Sequence, residues 1–271
     1  MSFLSNMWPR IGPLATCTVC YTAAYLLSYV VYWRIARRCA LSWRVWLPIC
    51  MLSSTSGMVG SKILYDLLHP PWDWPALLTV KHYLGGGYWG GLLASLAVAV
   101  PAACLLTPRK RAALDLVALA IPLPFILAKL GCFCNGCCYG RPCAWPWAVV
   151  FPPESCPAPA GIPVHPTQLY EIIGIVAFLW VVRRLDRRRW QGTMLLWFLA
   201  IEGATVATCE WFRGDFQEHV CLGPVTLSQL LALIAAIVSM VLLLVWGRRF
   251  PPTPNDSAAA NRSQVNQATR C

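Results

Sequence analysis

Residues 224–247 read PVTLSQLLALIAAIVSMVLLLVWG, with no charged side chain among them, and are followed at once by Arg248 and Arg249. At about 1.5 Å of rise per residue such a helix crosses the roughly 30 Å hydrocarbon core of a bilayer. Working back toward the N-terminus, six more apolar stretches of crossing length lie at about 193–210, 167–182, 112–131, 84–106, 45–68 and 12–33. The chain is 271 residues long, 58% hydrophobic and 12% charged, half the roughly 25% charge of an ordinary soluble domain. A free soluble globule is excluded, and an all-α integral membrane protein of about seven transmembrane helices is expected.

Orientation follows from charge. The net charge is +11, from 22 basic and 11 acidic residues. The basic residues cluster after the first span (Arg34, Arg37, Arg38, Arg44), between the third and fourth (Arg109, Lys110, Arg111), between the fifth and sixth (Arg183, Arg184, Arg187, Arg188, Arg189) and after the seventh. In a seven-span chain all four clusters share one side. Positive loops stay cytoplasmic, so the N-terminus is expected outside and the C-terminus inside. That distribution accounts for the charge without a nucleic-acid partner. The first apolar run has no convincing cleavage site and reads as an uncleaved anchor.

One polytopic domain, 1–250, is expected, with a Pro-, Ala-, Asn- and Ser-rich cytoplasmic tail, 251–271, that lacks periodicity and reads as disordered. Between the fourth and fifth spans lies an outer arm, about 132–166, whose eight prolines forbid one regular helix. Its opening, Gly131-Cys132-Phe133-Cys134-Asn135-Gly136-Cys137-Cys138-Tyr139-Gly140-Arg141-Pro142, is expected to be irregular backbone around a cavity.

An ionisable group inside a span costs roughly 2.5–3.5 kcal/mol on insertion scales, so each needs a partner or a task. Lys62 and Asp66, four residues apart, share a helix face and can neutralise each other. Lys129, Glu171, Glu202, Glu210 and Arg213 are the others. Lys129, Arg141 and Arg213 converge toward the outer side, where they form either a phosphate-binding cationic site or contacts with lipid headgroups.

His165-Pro166-Thr167-Gln168-Leu169-Tyr170-Glu171 closely resembles the HPSQLYE motif of prolipoprotein diacylglyceryl transferases. Further stretches fall in the family's order. Gly60-Ser61-Lys62-Ile63-Leu64-Tyr65 is similar to its second-span GARLxY, and Gly85 to Leu93 to its third-span glycine signature ending in HGGL. Lys129 to Pro142 resembles GRxGNFxNGExWGRP, and Glu210-Trp211-Phe212-Arg213-Gly214-Asp215 resembles ExFRxD. The resemblance covers about residues 50–235. It implies transfer of a diacylglyceryl group from phosphatidylglycerol to the lipobox cysteine of a prolipoprotein signal peptide, in a bacterial plasma membrane, with no metal or organic cofactor. The substrate-binding residues it implies are Lys62, Lys129, Asn135, Gly136, Gly140, Arg141, Gln168, Tyr170, Glu171 and Arg213.

The departures fall on the chemistry. The family histidine before GGL is Trp89 here, one phosphate arginine is Lys129, and the other aligns with Val206. The glutamate of NGE is Cys137 and the asparagine before the phenylalanine is Cys132. The candidates left for catalysis are His165, His82 and Glu210, the histidines because an imidazole titrates near pH 6.5. A helix-capping or orienting role for His165 is the competing expectation.

Fourteen cysteines are present, and four form Cys132-x-Cys134-x-x-Cys137-Cys138. Disulfides within the arm, a redox centre and a thiolate cluster for a soft metal are all open, disulfides leading because the arm is expected outside the cytoplasm. A membrane thiol oxidoreductase and an inactive lipid-binding relative are therefore the rival functions.

Overall fold

The computed structural model describes residues 10–11, 14–68, 87–151, 157–185, 190–215, 221–222 and 225–249. His82 and the tail 251–271 lie outside them. A helix stands at each expected span: α1 (Thr16–Arg38), α2 (Trp43–Leu68), α3 (Tyr88–Leu105), α4 (Lys110–Ala120), α5 (Pro122–Asn135), α6 (Thr167–Arg184), α7 (Met194–Phe212) and α8 (Leu227–Arg249). Helices α4 and α5 are one expected span divided at Ile121, where Pro122 and Pro124 remove two backbone donors while Ile121 keeps helical dihedrals. By length and composition, Tyr88–Leu105, Lys110–Asn135, Met194–Phe212 and Leu227–Trp246 can each cross a membrane. Ile234, Ile237, Val241 and Leu244 of α8 are exposed, as a lipid-facing surface requires.

Three short antiparallel ladders complete the architecture: β1 (Arg10–Ile11) with β2 (Leu14–Ala15), β3 (Val149–Val150) with β4 (Pro163–Val164), and β5 (Cys221–Leu222) with β6 (Val225–Thr226). The second folds the arm back on itself, Val149 facing Val164 and Val150 facing Pro163. Beneath it Phe133, Val149, Phe151, Ala158 and Val164 form a small core of the arm's own.

Helices α2 and α3 cross closely. A Cβ on Gly60 would lie 2.7 Å from the Gly90 carbonyl, and one on Gly91 would lie 3.2 Å from the Gly57 carbonyl. Small residues let backbones approach where lipid supplies no hydrophobic drive for association. The same logic recurs in α7, where a Cβ on Gly203 would meet the Ala232 carbonyl of α8 at 2.6 Å.

The basic loops meet at one end of the bundle. Arg109 donates to the Ala40 carbonyl at 2.9 Å, Arg111 lies over the Trp246 ring, and Asp115 accepts the backbone N–H groups of Gly192 and Met194 at 2.8 and 3.2 Å. A carboxylate there satisfies orphan donors at the start of α7 and suits its dipole. The arm occupies the other end.

Candidate functional site

At the arm end three chain segments are joined by main-chain hydrogen bonds. Gly140 N–H donates to the His165 carbonyl (2.9 Å), His165 N–H to Arg141 (3.1 Å), Arg141 N–H to Phe212 (2.7 Å) and Gly214 N–H to Tyr139 (2.9 Å). Gly140 and Arg213 face each other as an antiparallel bridge. Two glycines permit it: a Cβ on Gly140 would sit 2.8 Å from the Phe212 carbonyl, and one on Gly214 only 2.5 Å from that of Gly140. The three stretches singled out in sequence, 129–142, 165–171 and 210–215, are thus one structural unit.

Its charges are arranged in pairs. Lys129 forms an ion pair with Glu171, from α5 to α6. Arg213 grips Asp215 with Nε to Oδ1 at 2.9 Å and Nη2 to Oδ2 at 2.5 Å, with Glu210 3.8 Å from Nη1. The Arg141 guanidinium is exposed and donates through Nε to the Arg213 carbonyl at 3.2 Å. Carboxylates thus face two of the three cations, Lys129 and Arg213, because a buried charge without a partner is the costlier state. Lys62 likewise pairs with Asp66 on its own helix. Glu210 is buried and accepts a hydrogen bond from Thr226 at 2.8 Å.

The aromatic side of the unit is one that sequence did not reveal. His165 Nδ1 lies 3.0 Å from the Tyr170 hydroxyl, which also accepts from Trp147 Nε1 at 2.9 Å. Trp145 and Phe212 flank the imidazole, their ring centroids 6.3 and 5.0 Å away. Burial pushes the imidazole below its ordinary value of 6.5. The capping expectation fails: Pro166 occupies the N-cap of α6 and no side chain caps it, so the orienting contact of His165 is with Tyr170.

The opening of the arm also differs from expectation. Helix α5 continues through Asn135 and stops at Gly136, whose left-handed φ of 69° lets its N–H turn back to the Cys132 and Phe133 carbonyls. No proline lies between Pro124 and Pro142, so nothing breaks the helix before Gly136. Cys132 therefore sits on a helix, and the chain turns so that the sulfurs of Cys132, Cys137 and Cys138 lie within 4.8 Å of one another. Cys132, Cys137 and Cys138 are thiols, not disulfides. Gln168 Nε2 donates to the Cys137 carbonyl at 2.6 Å and the Thr167 hydroxyl to that of Cys138. Hydrogen bonds from Cys132 and Cys137, and then the charges of Arg213 and Lys129, hold the Cys138 thiol well below the ordinary range against the opposing effect of burial.

Trp89 is buried with Val206, Ala207 and Ala232, its indole N–H donating to Ser228 at 3.0 Å.

Fold and site together define a polytopic helical membrane protein with a charged, thiol-bearing centre at one end of the bundle. Residues 10–246 match the family model for prolipoprotein diacylglyceryl transferase. The chain is 31% identical over 229 residues to a phosphatidylglycerol-prolipoprotein diacylglyceryl transferase of Cereibacter sphaeroides, covering 75% of this chain and 77% of that one. It is 32% identical to the protein so named in Geobacter sulfurreducens (71% and 73% covered) and 29% identical to that of Bradyrhizobium diazoefficiens (90% and 92%). The chain belongs to the prolipoprotein diacylglyceryl transferase family.

Proposed function

We propose that the chain transfers a diacylglyceryl group from phosphatidylglycerol to the lipobox cysteine of a prolipoprotein, forming a thioether and releasing glycerol phosphate. The observation that carries this reading is the juxtaposition of Arg141 and Arg213 across the Gly140–Arg213 bridge. Guanidinium forks suit phosphate oxygens and stabilise the charge that builds on a departing phosphate. The reading places residues 1–250 as one domain in a bacterial plasma membrane, N-terminus outside and basic loops cytoplasmic, so that the site opens to the outer leaflet.

In this scheme the lipid phosphate meets Arg141 and Arg213, and Lys129 adds a point charge. Gly136, Gly140 and Asn135 shape the turn beside it, while Gln168, Tyr170 and Glu171 hold that turn and Lys129 in place. His165 accepts the thiol proton: its lowered pKa keeps it neutral at pH 7, as a base requires. Glu210 and Lys62 are positioning residues, each engaged by a partner. Replacing Arg141 or Arg213 with Ala abolishes lipid transfer while the protein still inserts in membranes; full activity in both variants overturns the assignment.

A further inference from the structure

We propose that Cys132, Cys137 and Cys138 form a three-thiolate zinc site whose open fourth position takes the substrate thiol; this deepens the transferase reading and rests on it. The transfer is an alkylation of sulfur, so its demand is a thiolate. Zinc bound by three protein ligands with one position open is the catalytic arrangement of the metal, and a coordinating thiol is deprotonated outright.

The geometry fits. Tetrahedral zinc with Zn–S of about 2.3 Å sets its sulfurs about 3.8 Å apart, and these three already lie within 4.8 Å of one another. Closing each gap takes at most about 1 Å. Among the described residues no fourth His, Cys, Asp or Glu joins the group, so the fourth ligand comes from outside the trio. Cys134 is excluded by helix geometry: two residues on from Cys132, it faces nearly the opposite way. Cys138 adopts a φ of +59°, rare for a residue with a side chain. That turn brings adjacent Cys137 and Cys138 to one centre, and Gln168 and Thr167 hold both their carbonyls. The Tyr21 hydroxyl lies 2.7 Å from the Cys132 sulfur, the kind of supporting contact that orients a metal ligand. Three thiolates and Zn2+ carry one net negative charge, and Arg213 and Lys129 interact with Cys138 to offset it.

The step balances without an oxidant. The lipobox thiol displaces water from zinc and loses its proton to His165. The bound sulfur then attacks the glyceryl carbon; the C–S bond forms as the C–O bond breaks, and the electron pair leaves on the phosphate oxygen of glycerol phosphate. The thioether, neutral and weakly basic, leaves the metal.

The test uses the full chain in phosphatidylglycerol nanodiscs. Metal analysis is expected to give about one zinc per chain. Cobalt(II) exchanged into the site is expected to show sulfur-to-cobalt charge-transfer absorption that changes when a lipobox peptide is added and does not change with its Cys-to-Ser counterpart. Cys138→Ser is expected to weaken metal affinity by at least the roughly 10–100-fold that loss of a supporting contact causes, whereas Cys104→Ser on α3 leaves it intact. Lipid transfer without zinc, resistant to chelator, overturns the site and leaves the transferase standing. Zinc bound and responsive to the peptide thiol but no transfer supports the site and overturns the transferase reading. A disulfide among the three cysteines and no metal overturns the zinc proposal.

Discussion

The arm end of the bundle contains two neighbouring regions held by different means. In the weave of 139–142, 165 and 212–214 the segments are joined main chain to main chain, and Gly140 and Gly214 are dictated by space. In the adjacent centre of Lys129, Glu171, Arg213, Asp215 and the three thiols, side-chain chemistry is everything. The first fixes where groups sit, and the second fixes what they do. A chain can therefore keep such a weave while the chemistry of its centre changes.

Substitutions separate the two regions, and the largest effect belongs to the centre. Lys129→Ala strands Glu171 without its partner inside the bundle and is expected to destabilise by about 3–5 kcal/mol, read as a drop in the unfolding midpoint of the detergent-solubilised protein. Lys129→Arg keeps the pair and recovers most of that loss. Next comes the weave: Gly140→Ala drives a methyl against the Phe212 carbonyl and is expected to cost about 1–3 kcal/mol, with the arm becoming protease-sensitive. Gln168→Ala, which leaves the Cys137 carbonyl without its donor, is expected to cost about 1–3 kcal/mol and to loosen the thiol turn, seen as faster alkylation of Cys137 and Cys138.

The smallest effect is the pH response of His165. Its folded imidazole binds a proton less readily than an unfolded one of pKa 6.5. Its contribution to stability is therefore full above about pH 6.5 and falls as pH drops through the lower folded value. Transfer that depends on neutral His165 has its acid limb below pH 6.5, and His165→Gln removes that limb from the pH profile.

Much of the fold was legible because apolar length is a one-dimensional signal. Residues 224–247 and the six other stretches each meet a helix, and the Lys62–Asp66 pair follows from four-residue spacing on α2. The break at Ile121 is written in Pro122 and Pro124, but the continuous apolar run conceals it. Long-range pairing was the part that sequence concealed. Lys129 meets Glu171 across two helices, and Trp145 and Trp147 reach His165 and Tyr170 only because β3 and β4 fold the arm back. The cysteine run was conspicuous, but whether Cys134 or Cys132 faced Cys137 and Cys138 depended on how far α5 continued, and that was decided by Gly136.

The central claim is tested most directly by lipid transfer itself. Membranes containing this chain are supplied with acyl-labelled phosphatidylglycerol and a peptide bearing a lipobox cysteine. The account predicts label on the peptide through a bond that survives thioester cleavage by hydroxylamine, and no label when the cysteine is replaced by serine. Absence of label from correctly inserted protein, with a transferase of the family active beside it, would contradict the account.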